Sequence, residues 1–367
     1  MKNTFSKIFK HKKILVTGHT GFKGSWLSAW LHLLGADVYG VSLESPPSRP
    51  SHYEVAEISS NVTDLRLDIR KPNELSECVN DIKPEFIFHL AAQALVRVSY
   101  ENPLATYHTN TIGTLNLFES IRSLENKCSV ILITSDKCYD NVEWVWGYRE
   151  TDALGGPDPY SASKGAAELI IRSHVKSFFH KDSLVRVAVA RAGNVIGGGD
   201  WAADRIVPDC VRSWASGKSV ELRNPHATRP WQHVLEPLSG YLTLASAISE
   251  NPELQGEPFN FGPPARQAHS VLELVKQMSI YWDQVRWDDG SGDEGVPYES
   301  ELLKLNCDKA LHHLRWHAVL DFEETVKMTS EWYQSYCKQP LSIRERTLAQ
   351  IDEYTRLAAD RGIKWAK

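Results

Sequence analysis

The sequence predicts an α/β fold, a doubly wound parallel sheet followed by a smaller C-terminal α/β lobe. Three observations predict it. Short apolar runs alternate with helical stretches as far as residue 190; glycine-rich or polar segments follow directly on several of those runs; and from about Asn194 the alternation weakens into a loop-rich stretch opened by Gly197-Gly198-Gly199. Alternation of this kind implies a parallel sheet covered on both faces, with ligands bound beyond the carboxyl ends of its strands.

The elements follow in order. Ile14-Leu15-Val16-Thr17 is a first strand, and Gly18, Gly21 and Gly24 come after it at intervals of three. Trp26, Leu27, Trp30, Leu31 and Leu34 then recur at helical spacing until Gly35 stops the helix. Val38–Val41 is a second strand, and Leu65–Leu67, ending at Asp68, a third. Phe86–Leu90, Val130–Ile133 and Leu184–Ala190 complete six. Helical patterns cover Asn73–Ile82, Leu104–Leu124 and Ser161–Phe179, and Ile343–Ala359 reads as a solvated amphipathic helix docked on the body. We expect a dinucleotide-binding unit over residues 1–190, a second lobe over 191–340 that shares strands and crossings with the first, and a terminal helix over 341–367.

Composition excludes several classes of function. The 41 Lys and Arg against 46 Asp and Glu give a net charge of −5, with no basic surplus for a nucleic-acid backbone. No apolar run reaches the roughly 18 residues of a membrane span. Six scattered cysteines without a Cys-x-x-Cys pair suggest free thiols in a reducing, cytoplasmic setting. His312, His313 and His317 lack an acidic partner, so no metal site is expected. Most of the 12 tryptophans suit core packing; Trp144, Trp146, Trp201 and Trp231 lie near predicted site loops.

Strand, glycine turn and helix form the context of a dinucleotide fingerprint, although the spacing is Gly-x-x-Gly-x-x-Gly and a plain tight turn would read the same. Tyr160 and Lys164 stand four apart, on one helix face. They could be a packing pair, or a phenol whose pKa a neighbouring ammonium lowers until it serves as a base.

Taken together, Thr17–Gly24, Asp68-Ile69, His89-Leu90-Ala91-Ala92-Gln93, Thr109-Asn110, Thr134-Ser135-Asp136-Lys137, Tyr160–Lys164 and Arg191–Val195 resemble the extended short-chain dehydrogenase/reductase family, in its sugar-nucleotide-modifying branch and most nearly its CDP-glucose 4,6-dehydratases. The resemblance implies a Rossmann domain holding NAD. Its cofactor residues would be Gly18, Thr20, Gly21, Phe22, Lys23, Gly24, Ser42, Asp68, Ile69, Leu90, Ala91, Ala92, Gln93, Thr109, Tyr160 and Lys164. Catalysis would fall to Ser135, Asp136, Lys137, Tyr160 and Lys164.

In the mechanism so implied, Tyr160 deprotonates the C4 hydroxyl as hydride leaves C4. With Asp136 as the acid for the departing C6 hydroxyl, water is then lost across C5 and C6, and the hydride returns to C6; Lys137 stands where the related TDP-glucose dehydratases carry a glutamate. A lysine base would need its pKa lowered by burial beside another cation. Ser42 stands where the family carries an acid for the ribose hydroxyls, and Arg49 downstream could admit the 2′-phosphate of NADP instead.

The resemblance assigns the nucleotide-sugar substrate, CDP-glucose, to Asn194, Arg205, Arg229 and Tyr298. The helices over 104–124 and 161–179 correspond to the family's dimer-forming pair, so a homodimer or a dimer of dimers is expected. The alternatives are a GDP-mannose dehydratase, a 4-epimerase, for which Asp136 and Lys137 have no use, and a non-catalytic dinucleotide sensor. A 4-keto-6-deoxy product would point towards the deoxysugars of surface polysaccharides.

Overall fold

The computed structural model describes residues 3–264, 267–282, 285–290, 302–338 and 343–367. Its centre is the expected parallel sheet: β1 (Lys13–Thr17), β2 (Asp37–Ser42), β3 (Thr63–Arg66), β4 (Phe86–His89), β5 (Cys128–Ile133) and β6 (Val185–Ala192). A seventh strand, Pro258–Phe261, joins from the second half of the chain and pairs in parallel with β6. From edge to edge the order is Pro258–Phe261, β6, β5, β4, β1, β2, β3. The chain reverses direction across the sheet between β1 and β4, and ligands of such sheets bind in the crevice at that reversal.

Every residue of β4 and β5 is buried, as strands covered on both faces require. The two faces divide the strand residues alternately. Leu15, Ile87, Val130 and Leu132 meet Leu75, Val79, Leu117, Phe118, Ile121 and Ile171 from the helices Pro72–Ile82, Gly113–Arg122 and Pro159–Phe178. Ile14, Val16, Phe86, Phe88 and Ile131 face the other way. They belong to a cluster that takes in Trp26 and Trp30 of helix Phe22–Leu33, Tyr241 and Leu242 of helix Leu235–Glu250, and Tyr354 of helix Ile343–Asp360. That cluster runs from Phe5 to Ala366 and joins both halves of the chain in one core. The terminal helix is thus half solvated: its outer side carries charges while Ile343, Ile351, Tyr354 and Ala358 are fully buried.

The second half adds short strand pairs: Val195–Ile196 with Gln232–His233, Thr228–Arg229 with His269–Ser270, and Val220–Leu222 with Trp287–Asp289. The expected single helix over 104–124 is interrupted. Pro103–Tyr107 is α-helical, His108–Ile112 is a π turn, and Gly113–Arg122 resumes the α-helix. The wider turn accompanies a set of side-chain bonds: Asn110 Nδ2 donates to Ser163 Oγ at 2.9 Å and to the Gln93 carbonyl at 3.0 Å. Such turns recur at functional sites, and this one lies against the helix that carries Tyr160.

Trp26 and Trp30 are fully buried, as their helical spacing suggested, and Trp316 and Trp332 are fully buried as well. Of the four expected near site loops, Trp201 and Trp231 are also buried in the main core, Trp144 is half-buried, and Trp146 is 69% exposed.

Candidate active site

The ends of β1 to β6 supply most of the candidate site residues. Gly18 follows β1 with φ +77, and a Cβ there would sit 2.7 Å from the Ala91 amide nitrogen. A Cβ on Gly24 would come within 2.1 Å of the Gly18 carbonyl oxygen. Both glycines are therefore demanded by close backbone approach. The loop closes through Gly18 N to Val41 O at 2.7 Å and Gly21 N to Gly18 O at 3.0 Å. Gly21 caps helix Phe22–Leu33 without a side-chain hydrogen bond, so the first helical N–H groups are not spent on a capping side chain. A backbone cradle with the positive end of a helix dipole behind it fits a dinucleotide pyrophosphate.

Ser42, at the end of β2, accepts a hydrogen bond from Thr20 N at 3.3 Å and so braces this loop. Arg49 is exposed. The cation nearest Ser42 on the sheet is instead Arg66, its register partner on β3, which the sequence did not single out. Arg66 donates to Leu43 O at 2.8 Å, Glu44 O at 3.2 Å and Asp64 Oδ2 at 2.6 Å. Asp68 is gripped by Arg70, whose Nε and Nη2 lie 2.9 and 2.6 Å from its Oδ2, and this pairing holds the carboxyl below its usual range. Ile69 is buried, and its carbonyl accepts from Asn116 Nδ2 at 2.9 Å.

Leu90 to Gln93 continue from β4. Leu90 N donates to Thr17 O at 3.0 Å and Ala91 N to Thr17 Oγ1 at 3.3 Å, tying this segment to the end of β1. Ala92 is half-buried beside them. Gln93 N donates to Asn110 Oδ1 at 2.8 Å. Asn110 therefore links this loop to the Tyr160 helix, while Thr109, next to it, is half-buried. His89 shares a hydrogen bond with Thr17 Oγ1 at 2.7 Å; burial, with Lys164 nearby, drives its pKa down to about 3, so the ring is neutral.

Beyond β5, Ser135 caps a short 3-10 turn, Asp136–Cys138. Its hydroxyl accepts from Lys137 N at 3.2 Å and donates to Asp136 Oδ1 at 3.0 Å. Asp136 is 5% exposed, and burial raises its pKa despite the lowering influence of Lys137, Ser135 and Lys23. Gly193, after β6, makes room for this carboxyl, because a Cβ there would lie 2.8 Å from Asp136 Oδ2. A carboxyl whose pKa is raised by burial at a dry strand end is suited to general-acid work. Lys137 is half-buried beside it.

Helix Pro159–Phe178, capped by Asp158 onto Ser161 N at 2.9 Å, brings in Tyr160 and Lys164. Lys164 is lowered to about 8 by burial, with Cys138 and Glu168 pulling it back up. Tyr160 departs from the expectation of a lowered pKa. Burial pushes it up to about 12, and the influences that oppose burial come from the Ser135 hydroxyl and Arg205. The desolvation of an 8% exposed phenol outweighs both.

Lys23, at the second position of helix Phe22–Leu33, lies close to Asp136 and Lys164. Its Nζ lies 3.5 Å from Tyr241 Oη, and burial together with repulsion from Lys164 and Arg205 lowers it to about 8. Arg205 lines the same cleft, bonded to the buried Asp200 Oδ2 at 2.6 Å, and bears on Tyr160. The Asn194 carbonyl accepts from Gln232 N at 3.3 Å, and Arg229 is buried with Nη1 on its neighbour's carbonyl, Thr228 O, at 2.9 Å. Tyr298 lies outside the described residues. Among the described residues, no group of three or more His, Cys, Asp or Glu could hold a metal ion, and no helix is long and apolar enough to cross a membrane.

A family model described as GDP-mannose 4,6 dehydratase matches residues 15–329. The chain belongs to this family. Within it, the chain is 46% identical over 333 residues to a CDP-glucose 4,6-dehydratase of Salmonella typhimurium, covering 89% of this chain and 92% of that protein. Two solved structures share the fold of this family member. One is a UDP-glucose 4-epimerase of Thermotoga maritima, with TM-score 0.75, 23% identity, and 89% of this chain and all of that one covered. The other is a dTDP-glucose 4,6-dehydratase of Bacillus anthracis in complex with NAD, with TM-score 0.71, 20% identity, and 88% and 97% covered.

Proposed function

We propose that the protein is a lyase that converts CDP-D-glucose to CDP-4-dehydro-6-deoxy-D-glucose and water, using NAD. The observation that carries this reading is Asp136: a buried carboxyl with a raised pKa, bonded to Ser135 at the strand end that faces Tyr160. A 4-epimerase moves no hydroxyl and has no use for an acid there. The 46% identity to a CDP-glucose 4,6-dehydratase supports the choice of sugar nucleotide.

The backbone around Gly18, Gly21 and Gly24, with Thr20, Phe22 and Lys23, would hold the dinucleotide, and Ser42, Asp68, Ile69, Leu90, Ala91, Ala92, Gln93 and Thr109 would flank it. NAD, when bound, supplies a hydride acceptor that also returns the hydride, and its nicotinamide cation favours the phenolate. The protein's own groups do the rest. Tyr160 Oη takes the C4 hydroxyl proton, with Lys164 stabilising the phenolate and Ser135 orienting the hydroxyl. Asp136 gives its proton to the departing C6 oxygen. Lys137 takes the C5 proton and gives it back. Asn194, Arg205, Arg229 and Tyr298 would hold the nucleotide sugar.

A homodimer fits the exposed apolar residues Leu104 and Tyr107 of helix Pro103–Tyr107 and Leu169 of helix Pro159–Phe178, all at least one third exposed. A cytoplasmic enzyme supplying 6-deoxysugars to O-antigen and other lipopolysaccharide sugars completes the reading.

The test is incubation with CDP-, TDP-, UDP- and GDP-sugars, followed by the alkali-induced absorbance of a 4-keto product. Turnover of CDP-glucose without net consumption of NAD is expected. Turnover of GDP-mannose alone would assign the sister activity, and no turnover with any of them would favour a dinucleotide sensor.

A further inference from the structure

Resting on the dehydratase reading, the balance of protons over one turnover shows a requirement that the roles above leave open. The C4 hydroxyl proton ends on Tyr160. The C6 hydroxyl departs as water with a proton from Asp136. The C5 proton is removed and restored at the same carbon, and the hydride lost at C4 is regained at C6. The product is complete, yet Tyr160 holds one proton too many and Asp136 one too few. A second turnover needs that proton to cross from the phenol to the carboxylate.

Solvent is a poor courier, since Tyr160 is 8% exposed and Asp136 5%. Ser135 lies between them. Its hydroxyl donates to Asp136 Oδ1 at 3.0 Å and borders the Tyr160 phenol as a hydrogen-bonding group. It is also held in place, because Lys137 N donates to its Oγ at 3.2 Å and the preceding residue, Thr134, is anchored to Glu168 Oε1 at 2.6 Å.

We propose that Ser135 returns the proton from Tyr160 to Asp136 after each turnover. The Tyr160 Oη–H bond breaks as a Ser135 Oγ–H bond forms, while the original Ser135 Oγ–H bond breaks and an Asp136 Oδ1–H bond forms. Two protons move, serine ends as it began, and no oxidant or reductant is required. Arg205 near the Tyr160 phenol and Lys23 near the Asp136 carboxyl supply positive charge for whichever of them is anionic.

The experiment is rapid-quench product formation by NAD-loaded protein with CDP-glucose in excess, for the unaltered chain, Ser135→Ala and Ser135→Thr. In Ser135→Ala the first turnover is slowed, because the hydroxyl also orients the substrate, but it still runs to about one product per site, and later turnovers are at least tenfold slower than that variant's own first. Ser135→Thr restores the hydroxyl and abolishes this lag. Equal rates for first and later turnovers in Ser135→Ala would overturn the relay. Ser135→Gly removes the same hydroxyl and serves should the alanine variant not fold. Absence of product from the unaltered protein would instead sink the dehydratase reading itself.

Discussion

Glu168 and Arg191 meet in a two-point contact sealed from water. Arg191 Nε donates to Oε1 at 2.8 Å and Nη2 to Oε2 at 2.9 Å, with side chains 4% and 3% exposed. The same guanidinium donates to Tyr139 Oη at 2.8 Å, and the same carboxylate accepts from Thr134. One ion pair thus fastens the end of β6 to the end of β5 and to the helix of Tyr160 and Lys164. Removing one partner leaves a buried charge uncompensated, so Glu168→Ala should cost about 3–5 kcal/mol of stability. Urea unfolding checks this. Replacing both residues by methionine should cost clearly less, and equal losses would show that shape rather than charge matters here.

Gly18→Ala should weaken NAD binding at least tenfold. The new methyl would press on the Ala91 backbone, and a left-handed φ adds about 1–2 kcal/mol of strain. Quenching of tryptophan fluorescence on titration with NAD provides the measurement. Unchanged affinity would place the cofactor elsewhere.

Asp136→Asn keeps the size of the side chain and removes the transferable proton. Loss of general-acid catalysis should lower turnover about 10²–10⁴-fold. Affinity for the nucleotide sugar, followed by calorimetry, should change little. If binding fails in step with turnover, the acid role is wrong.

Glu236 gives a pH signature of the folded state. Its carboxyl accepts from Val319 N at 2.9 Å, Leu320 N at 2.7 Å and Tyr354 Oη at 2.8 Å, yet complete burial raises it to about 7. The folded chain then binds a proton that the unfolded chain releases near pH 4.5, so stability from this group falls as pH rises between those values. The loss approaches about 3 kcal/mol. Unfolding free energies from pH 4.5 to 7.5, compared with Glu236→Gln, should show the steeper decline in the unaltered protein. Parallel curves would mean that the carboxylate is ionised throughout.

Leu104→Glu combined with Leu169→Glu should shift sedimentation towards the monomer, because charges on an apolar contact must be desolvated to pair it. A monomer before substitution would refute the dimer directly.

Much of this architecture was readable along the chain. The apolar runs marked six strands because fully buried parallel strands are apolar on both faces, and the site motifs fell at their ends. The seventh strand was not readable: Pro258–Phe261 has four residues, one of them a proline, and its partner lies about 70 residues earlier. The π turn in the predicted helix 104–124 was hidden for a related reason. It accompanies bonds from Asn110 to Gln93 and Ser163, and the latter lies 53 residues away. The four-residue spacing placed Tyr160 and Lys164 on one helix face, and both are buried on helix Pro159–Phe178. The direction of the phenol's pKa was not legible, because burial, which spacing cannot report, outweighs the neighbouring charges.

The strand Pro258–Phe261 also constrains how the protein is made. Until Phe261 leaves the ribosome, β6 offers an unpaired row of amides and carbonyls on that side. At about 5–20 residues per second, the roughly 70 residues after β6 keep that row open for about 4–14 s. Exposed strand edges of this kind template aggregation. The growing chain therefore passes through an interval in which a molecular chaperone, or slow synthesis at low temperature, should raise the yield of native protein.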